Sequence, residues 1–303
     1  MRIAKNWHDY KIIDTANGEK LEKWNDIILI RPDPQVIWKS DKRSNFWNDY
    51  HGRYFRSSKG GGSWDYKKQI PQKWIVKYKK LSFEITPTNF KHTGLFPEQA
   101  VNWDLFTSLI EKRKENCSQK EIKILNLFAY TGGATLACAA AGANVTHVDA
   151  AKGMVSWASE NAKLSNINDD KIRWIVDDCE KFVAREIRRG NTYDAIIMDP
   201  PSYGRGPSGE IWKLEDCIFD LVNLCKDVLN ENPLFFALNS YTTGLNPSTM
   251  EYITGLVLNK KYPDMGVLSS DEIGVRVEET GFTLPCGSTA LWINKNEVDS
   301  AVL

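Results

Sequence analysis

Apolar and polar positions divide the chain into two parts with different periodicities. In residues 1–87, short apolar runs are separated by turn signals such as Asn17-Gly18 and a Pro-Asp-Pro break. That pattern is typical of strands joined by tight turns. From residue 88 onward, compact apolar runs alternate with amphipathic segments of helical spacing. Such alternation predicts a parallel sheet with helices on both faces.

Five compact apolar runs in the second part are predicted to be its parallel strands: 122–128, 145–148, 172–176, 195–198 and 234–238. Two closing strands are predicted at 273–277 and 289–293. One helix is predicted from an apolar face formed by Ala100, Trp103, Phe106, Leu109 and Ile110. A second is predicted over 211–229, and a third begins at Asn246-Pro247, a typical helix start. The segment 57–64 is predicted to be a flexible loop, and 204–212 the rim of a site.

Composition excludes several classes of protein. Hydrophobic residues make up 42% and charged residues 26% of the 303 residues, which suits an ordinary globular chain. Neither a bilayer-spanning apolar run nor the apolar core of a signal peptide is present, so we expect a cytoplasmic protein without membrane contact. The six cysteines show no CxxC spacing and the four histidines lie apart, which predicts neither disulfides nor a metal site.

A net charge of zero conceals an asymmetry along the chain. Residues 1–90 contain 18 Lys and Arg against 10 Asp and Glu, and the remainder contains 21 against 29. Six of the eleven tryptophans also lie in the first 90 residues. A basic, aromatic-rich segment could hold a polyanion, or it could be a small β domain with a solvated lysine surface. Both interpretations remain open at this point.

Glycines or acids follow three of the predicted strands, at the edge where parallel sheets bind ligands. A Gly132-Gly133 turn leads into an alanine-rich helix, which would place backbone N–H groups beside a ligand. Asp149 follows the second strand, and Asp177-Asp178 follow the third. Such carboxylates could accept hydrogen bonds from a ribose diol or an adenine amine, or could cap the next helix. The absence of GxGxxG argues against a dinucleotide.

The fourth strand ends in MDPPSYGRG, which contains Asp199, Pro200, Pro201 and Tyr203. The prolines stiffen the turn and present carbonyls without N–H donors. Asp199 and the Pro200 carbonyl could accept the two hydrogens of an exocyclic amine, and Tyr203 could stack on an extruded base. The alternative is a helix-capping acid beside a surface aromatic. Because four strand ends offer these features in order, we favour a nucleoside-binding site.

These segments resemble the class I S-adenosylmethionine (SAM)-dependent methyltransferases, and specifically the bacterial family related to the large-subunit ribosomal RNA methyltransferases. The matching stretches are KHTGLFPEQA, LNLFAYTGG, VDAAKGMVSWASENAKLS, DDCEKF and MDPPSYGRG. The resemblance implies a Rossmann-like sheet of seven mostly parallel strands in a methyltransferase domain over 88–303, after a small basic β-rich domain over 1–87. It also implies SAM as cofactor and RNA, ribosomal RNA foremost, as partner.

The resemblance also assigns roles to individual residues. It implies that Asp149 holds the ribose, that Asp178 holds the adenine and that Asp199 faces both cofactor and acceptor. The methionine part would be lined by Phe128, Ala129, Tyr130, Thr131 and Gly132. Further candidates for cofactor contact are Phe96, Gln99, Asn126, Ala150, Ala151, Asp177 and Cys179. The candidate catalytic residues are Asp199, Pro200, Pro201 and Tyr203.

One departure from the relatives concerns the acceptor atom. Enzymes that methylate cytosine C5 attack the ring with a thiolate, carried in a turn after the fifth strand. This chain has ALNSYTTG there, and Cys286, in a later turn, is interpreted as a structural thiol. We therefore expect transfer to a nitrogen of guanine or adenine. The alternatives are a protein or small-molecule methyltransferase and a non-catalytic cofactor-binding protein; an NAD-dependent oxidoreductase would leave the DPP turn unexplained.

Overall fold

A computed structural model describes residues 1–57, 61–116, 121–205 and 211–298. The chain divides into two compact units. Unit 1 comprises Met1–Val101 and Ile273–Cys286, and unit 2 comprises Asn102–Glu272 and the residues from Gly287 onward. The domain boundary predicted between residues 87 and 88 stays a prediction.

The first 87 residues form short strands, as their turn signals predict. Their bounds are β1 (Arg2–Ile3), β2 (Tyr10–Ala16), β3 (Glu19–Trp24), β4 (Ile27–Pro32), β5 (Gly52–Arg56), β6 (Gly62–Tyr66), β7 (Trp74–Tyr78) and β8 (Leu81–Ile85). Strands β2 to β6 form one sheet in sequence order, and β7 pairs with β8. The loop predicted over 57–64 is partly wrong, because residues 62–64 pair with β5; residues 58–60 lie outside the described chain.

A buried ion pair lies within the β-sheet of unit 1. Glu22 is fully buried, and its carboxylate accepts two hydrogen bonds from the Arg31 guanidinium and one from the Tyr10 hydroxyl at 2.9 Å. Burial alone would raise the pKa of Glu22, but Arg31 and Lys20 lower it below its ordinary value. The carboxylate therefore stays ionised, and the hydrogen bonds offset the desolvation of both charges.

Unit 2 is built on alternating strands and helices, as predicted. The elements after β8 are α1 (Ala100–Asn116), β9 (Lys123–Leu127), α2 (Gly133–Ala140), β10 (Asn144–Asp149), α3 (Lys152–Leu164), β11 (Ile172–Val176), α4 (Cys179–Arg189), β12 (Ala195–Met198), β13 (Tyr203–Arg205), β14 (Ile211–Lys213), α5 (Leu214–Cys225), β15 (Phe235–Ser240), α6 (Pro247–Lys261), β16 (Gly266–Arg276) and β17 (Thr283–Asn294). The sheet has eight strands, in the order β1-β16-β17-β15-β12-β9-β10-β11. This is one more than the seven predicted, because the short strand β1 pairs parallel to β16. Strands β9, β10, β11, β12 and β15 run parallel, and β17 is antiparallel to β15. The predicted Rossmann-like fold class is confirmed.

Apolar packing explains the predicted helix positions, including the buried face of α1 from Ala100 to Ile110. One helix prediction is partly wrong at its start. Residues 211–213 form β14, antiparallel to β13, and α5 begins only at Leu214. The Trp212 indole donates to the Pro201 carbonyl at 2.7 Å and its ring packs against Phe128, which holds this segment extended. Most of the predicted rim, residues 206–210, lies outside the described chain.

The described ranges were also searched for a membrane span and a metal site. None of their helices has the length and apolar character needed to cross a bilayer. Nor do they contain a cluster of three or more His, Cys, Asp or Glu side chains suited to hold a metal ion.

The Arg31–Glu22 pair gives a stability prediction. Arg31→Met should lower the free energy of unfolding by about 3–5 kcal/mol, because it leaves the Glu22 carboxylate buried without its cation. Urea unfolding followed by tryptophan fluorescence measures this change. Lys11→Met is the control, because Lys11 pairs with Glu278 on the exposed surface, where such a pair contributes about 0–1 kcal/mol. Equal losses in the two variants would contradict the prediction.

Candidate active site

The register of the parallel strands brings the predicted strand-end residues to one level. Leu127 of β9 lies opposite both Val148 of β10 and Met198 of β12. The residues that follow these three are Phe128, Asp149 and Asp199. They therefore emerge together at the carboxyl edge of the sheet. Strand β9 also marks the point where the strand order reverses, which is where doubly wound sheets bind ligands.

The loop between β9 and α2 is tightly wound. Phe128 and Tyr130 have positive φ values of 53° and 50°, which residues other than glycine rarely adopt. The Ala129 amide donates to the Val148 carbonyl at 3.1 Å, and Asn161 of α3 donates to the Thr131 carbonyl at 3.0 Å. Neighbouring elements thus hold the strained backbone in one conformation, as is common at functional sites.

Close packing of the protein requires glycine at positions 132 and 133. Gly132 has φ 89°, and a Cβ there would lie 3.0 Å from both Ala158 and Leu136. A Cβ on Gly133 would lie 2.5 Å from the ring of Trp103. The glycines let the loop pack against α1 and α3, and this packing places the N-terminus of α2 at the sheet edge.

Asp149 is oriented by two backbone amides. Its Oδ2 accepts from the Tyr130 amide at 2.9 Å and its Oδ1 from the Ala151 amide at 2.8 Å. Burial raises the pKa of Asp149, and these two hydrogen bonds oppose that shift. Ala151, not Asp149, is the N-cap of α3, so helix capping does not explain the acid. Because each carboxylate oxygen has a second lone pair, the two together can accept from a diol.

Asn126 belongs to a buried polar chain beneath the loop. Its amide donates to the Thr135 hydroxyl at 2.9 Å, and that hydroxyl lies 2.9 Å from His147 Nδ1. Burial lowers the pKa of His147 to about 3, so the ring is neutral at physiological pH. The chain joins β9, α2 and β10, and it fixes the base of the loop without adding a charge. Sequence reasoning singled out Asn126 but missed Thr135 and His147.

The end of the third strand has a different hydrogen-bonding pattern from that of the second. Asp178 is the N-cap of α4 and its Oδ1 accepts from the Lys181 amide at 2.9 Å. Asp177 forms an ion pair with Arg185. Cys179 is buried and its sulfur accepts from the Phe128 amide at 3.3 Å. The structure thus shows structural partners for all three side chains, and their contact with adenine stays a prediction.

The DPP turn at the end of β12 is held by its neighbours. The Asp199 amide donates to the Leu127 carbonyl at 3.4 Å, and the Pro201 carbonyl accepts from Trp212. The Ser202 hydroxyl accepts from Thr242 at 2.6 Å. Tyr203 begins β13 and is 51% exposed, so its ring faces solvent beside the turn.

A second buried network, which sequence reasoning missed, supports the turn from β15. The Asn102 amide donates to Asn239 at 3.0 Å and to Thr289 at 2.9 Å, and the Thr289 hydroxyl donates to Asn239 at 2.7 Å. Asn239 in turn donates to the Met198 carbonyl at 3.4 Å, next to Asp199. All three network side chains are 2% exposed or less. They are positioning residues for the strand end that carries the DPP turn.

Two candidates lie in the other unit. Phe96 and Gln99 belong to unit 1, where residues 97–99 form a short 3-10 helix and Gln99 is buried. The Trp7 indole donates to the Pro97 carbonyl at 2.8 Å and fixes this segment within the unit. Their contact with the cofactor stays a prediction.

Comparison with known proteins identifies the family and the fold. The family model for S-adenosylmethionine-dependent methyltransferases matches residues 66–216. The crystal structure of a SAM-dependent methyltransferase from Agrobacterium tumefaciens is 33% identical, with a TM-score of 0.87, over 97% of this chain and 93% of the other. A Streptococcus mutans structure, provisionally named a SAM-dependent methyltransferase, shares the fold at 16% identity and a TM-score of 0.71, over 95% of this chain and 76% of the other.

Curated relatives are also similar. The ribosomal RNA large subunit methyltransferase K/L of Magnetococcus marinus is 31% identical over 60% of this chain and 22% of its own length. The protein of the same name from Legionella pneumophila is 28% identical over 63% of this chain and 26% of its length. The chain therefore spans about a quarter of these relatives. Together with the full-length structural match, the comparisons place the chain in the SAM-dependent methyltransferase family.

The residues present at the sheet edge fit SAM. Asp149 supplies a half-buried diol acceptor, and the α2 N-terminus supplies backbone donors at the same sheet edge. Asp149 would hold the ribose, and the loop from Phe128 to Gly132 would line the methionine part. Both assignments follow the predicted roles and remain to be tested by substitution.

Asp149→Asn should weaken SAM binding roughly ten- to hundredfold, since hydrogen bonds to a charged group contribute about 1.5–3 kcal/mol. Protonation of the wild-type carboxylate removes the same acceptor, so Kd should rise as pH falls through the raised pKa of Asp149. That rise should begin at a higher pH than for an ordinary aspartate and be absent in Asp149→Asn. Isothermal titration across the acidic range tests this. Asp170→Asn, at an exposed position, is the control, and its equal weakening would refute the assignment.

Asn239→Leu should lower the free energy of unfolding by about 1–3 kcal/mol, because it leaves buried polar partners unsatisfied. It should also slow methyl transfer while leaving SAM affinity unchanged, because the network supports the DPP turn and not the Asp149 site. Unfolding, SAM titration and single-turnover transfer separate these effects. Asn223→Leu, on the exposed side of α5, should change none of them. Loss of SAM affinity in Asn239→Leu would contradict the positioning role.

Proposed function

We propose that the protein transfers a methyl group from SAM to a base nitrogen of RNA, and that large-subunit ribosomal RNA is its substrate. The curated relatives support the choice of RNA through their names. The basic, tryptophan-rich first 90 residues support it through charge, with 18 Lys and Arg against 10 Asp and Glu. Such a substrate would place the reaction in the cytoplasm.

The observation that carries the proposal is the fixed DPP turn. Trp212, Thr242 and the Leu127 carbonyl hold it from three sides. On this held backbone, the Asp199 carboxylate and the Pro200 carbonyl would form a pair of acceptors, which matches the two N–H groups of an exocyclic amine. Half-exposed Tyr203 offers a ring on which an extruded base can stack.

When bound, SAM supplies an activated methyl group, so the chain has chiefly to align the acceptor. Asp199 and the Pro200 carbonyl would hold the amine hydrogens and turn the nitrogen lone pair toward the methyl group. The buried Asn102-Asn239-Thr289 network would keep this alignment from relaxing. A neutral His147 beneath the loop would add no positive charge next to a cationic cofactor.

The cysteines support nitrogen over carbon as the acceptor. Burial raises the pKa of Cys138, Cys179, Cys225 and Cys286, which keeps these thiols protonated and poorly nucleophilic. Cys286 lies in β17 rather than in the predicted turn, and its thiol donates to the Leu284 carbonyl at 3.4 Å. At the end of β15, the position that bears a thiolate in C5 methyltransferases is part of an Asn-Ser-Tyr sequence.

The test is methyl transfer from labelled SAM to unmodified large-subunit ribosomal RNA transcribed in vitro, followed by digestion and identification of the labelled nucleoside. We expect an N-methylated guanosine or adenosine. Asp199→Ala should reduce the rate about a hundredfold, the effect of misplacing a reacting group, and retain SAM binding. Asp220→Ala, an exposed acid on α5, should leave the rate unchanged.

Parallel reactions with cellular protein and metabolite fractions distinguish the alternatives. Label in a C5-methylated pyrimidine would refute the nitrogen assignment, and label confined to protein or metabolites would refute the RNA substrate. Unchanged turnover in Asp199→Ala would exclude the DPP turn as the acceptor platform.

A further inference from the structure

The hairpin of β5 and β6 in unit 1 carries aromatic side chains on one face. Tyr54 lies directly opposite Trp64, and Gly52 lies opposite Tyr66. Arg56, two residues after Tyr54, lies on the same face because side chains alternate along a strand. We call Tyr54, Trp64, Tyr66 and Arg56 the aromatic face. Phe55 points to the other side of the hairpin.

Two rings of this face form a stack that is open to solvent. The Trp64 and Tyr66 rings lie 6.1 Å apart with their planes inclined by only 13°. The Tyr66 ring packs over Gly52, where a Cβ would come within 3.1 Å of it, and yet Tyr66 remains 47% exposed. Buried Tyr54 meets Trp64 edge to face at 5.5 Å and supports it from below. The stack is therefore ordered before any ligand arrives.

The segment 88–92 adds a second exposed ring, after that of Tyr66, beside the face. The Trp64 indole donates to the Thr88 carbonyl at 2.8 Å, and the Tyr54 hydroxyl donates to the Asn89 carbonyl at 3.2 Å. The Thr88 hydroxyl donates to the His92 carbonyl at 2.9 Å and closes the turn. Phe90, at its tip, is 62% exposed. The same side chains that form the aromatic face thus fix the turn that displays Phe90.

Two cations, Arg56 and Lys91, lie at this turn, whereas the nearby Lys20 and Arg31 are paired with Asp33 and Glu22. Arg31 also donates to the Lys91 carbonyl at 2.8 Å, which anchors the backbone of the turn. Burial, with Lys20, Arg31 and Arg56 against Asp33, lowers the pKa of Lys91 to about 8. Burial and these cations also lower the pKa of His92, to about 4. A bound anion would offset the cost of burying the Lys91 charge and would be attracted by Arg56.

We propose that the aromatic face and the turn at Phe90 bind unpaired nucleotides of RNA, with bases stacked on Tyr66 and Phe90 and phosphates held by Arg56 and Lys91. The inference rests on the proposed function for the choice of RNA. Exposed flat rings beside cations match the repeating unit of a single strand, in which a base with two π-faces alternates with a phosphate. An acidic peptide would match the cations but not the open ring stack.

Fluorescence anisotropy of the full chain with a labelled oligouridylate of about ten nucleotides tests the surface without methyl transfer. Tyr66→Ala and Phe90→Ala should each weaken binding roughly five- to hundredfold, as the loss of one stacked base does. Arg56→Ala should reduce the slope of log Kd against log salt by about 0.7, the effect of one lost phosphate contact.

Phe55→Ala is the matched control, because Phe55 is a 46% exposed aromatic in the same hairpin on the opposite face. It should leave RNA affinity unchanged, and Lys80→Ala, at an exposed position of the same unit, should leave the salt slope unchanged. Equal weakening by Phe55→Ala and Tyr66→Ala would overturn the proposal, as would unaltered binding in Tyr66→Ala and Phe90→Ala. The proposal would also be overturned if polyglutamate displaced the labelled oligouridylate as effectively as unlabelled oligouridylate does.

The outcome is separable from that of the proposed reaction. N-methylation of RNA with no oligonucleotide binding at the aromatic face would refute this inference and leave the proposed function standing. If the variants show the expected RNA-binding pattern but no methylated nucleoside forms, the proposed function is refuted and the RNA-binding surface stands. Asp220→Ala, at an exposed acid of α5 in the other unit, should bind the oligouridylate as the wild type does.

Discussion

The parallel pairing of β9 with β10 on one side and β12 on the other is the constraint on which the site depends. Because Leu127 is level with both Val148 and Met198, the chain must leave the sheet at the same height in three places. A loop of strained backbone, the half-buried carboxylate of Asp149 and a proline turn therefore become neighbours, although they are separated by many residues in sequence. A slip of one residue in either pairing would send the following side chain to the other face of the sheet.

Two buried polar networks hold the strand ends and the loop after β9 in fixed positions. One network runs from Asn126 through Thr135 to His147 and supports the loop between β9 and α2. The other joins Asn102, Asn239 and Thr289 under Met198. Both consist of neutral groups, which avoids the desolvation of charge that the Arg31–Glu22 pair has to offset. Because these networks are neutral, they add no charge to the sheet edge beside Asp149 and Asp199.

The sequence was sufficient to predict the alternating elements and the strand-end residues, because both are local patterns. It was insufficient where partners are distant: the Asn102–Asn239 and Asn102–Thr289 bonds join residues 137 and 187 positions apart. The helix predicted from Ile211 began too early because Trp212 pairs outside its own segment. The packing at Gly132 and Gly133 likewise depends on residues distant in sequence, since a Cβ at these positions would meet Ala158 and Trp103. Asp178, equally, could be recognised as a helix cap only from its bond to Lys181.

Asn239 links the alignment of the methyl acceptor to the choice of the acceptor atom. C5 methylation would need a reactive thiolate near the end of β15, where this chain instead places Asn239. That side chain is held by Asn102 and Thr289, and its amide donates to the carbonyl beside Asp199. A cysteine there could neither accept these bonds well nor support the strand end, because a thiol is a weak hydrogen-bonding group. The polar network therefore favours a rigid acceptor turn over covalent catalysis, which is the physical basis for proposing nitrogen as the methylated atom.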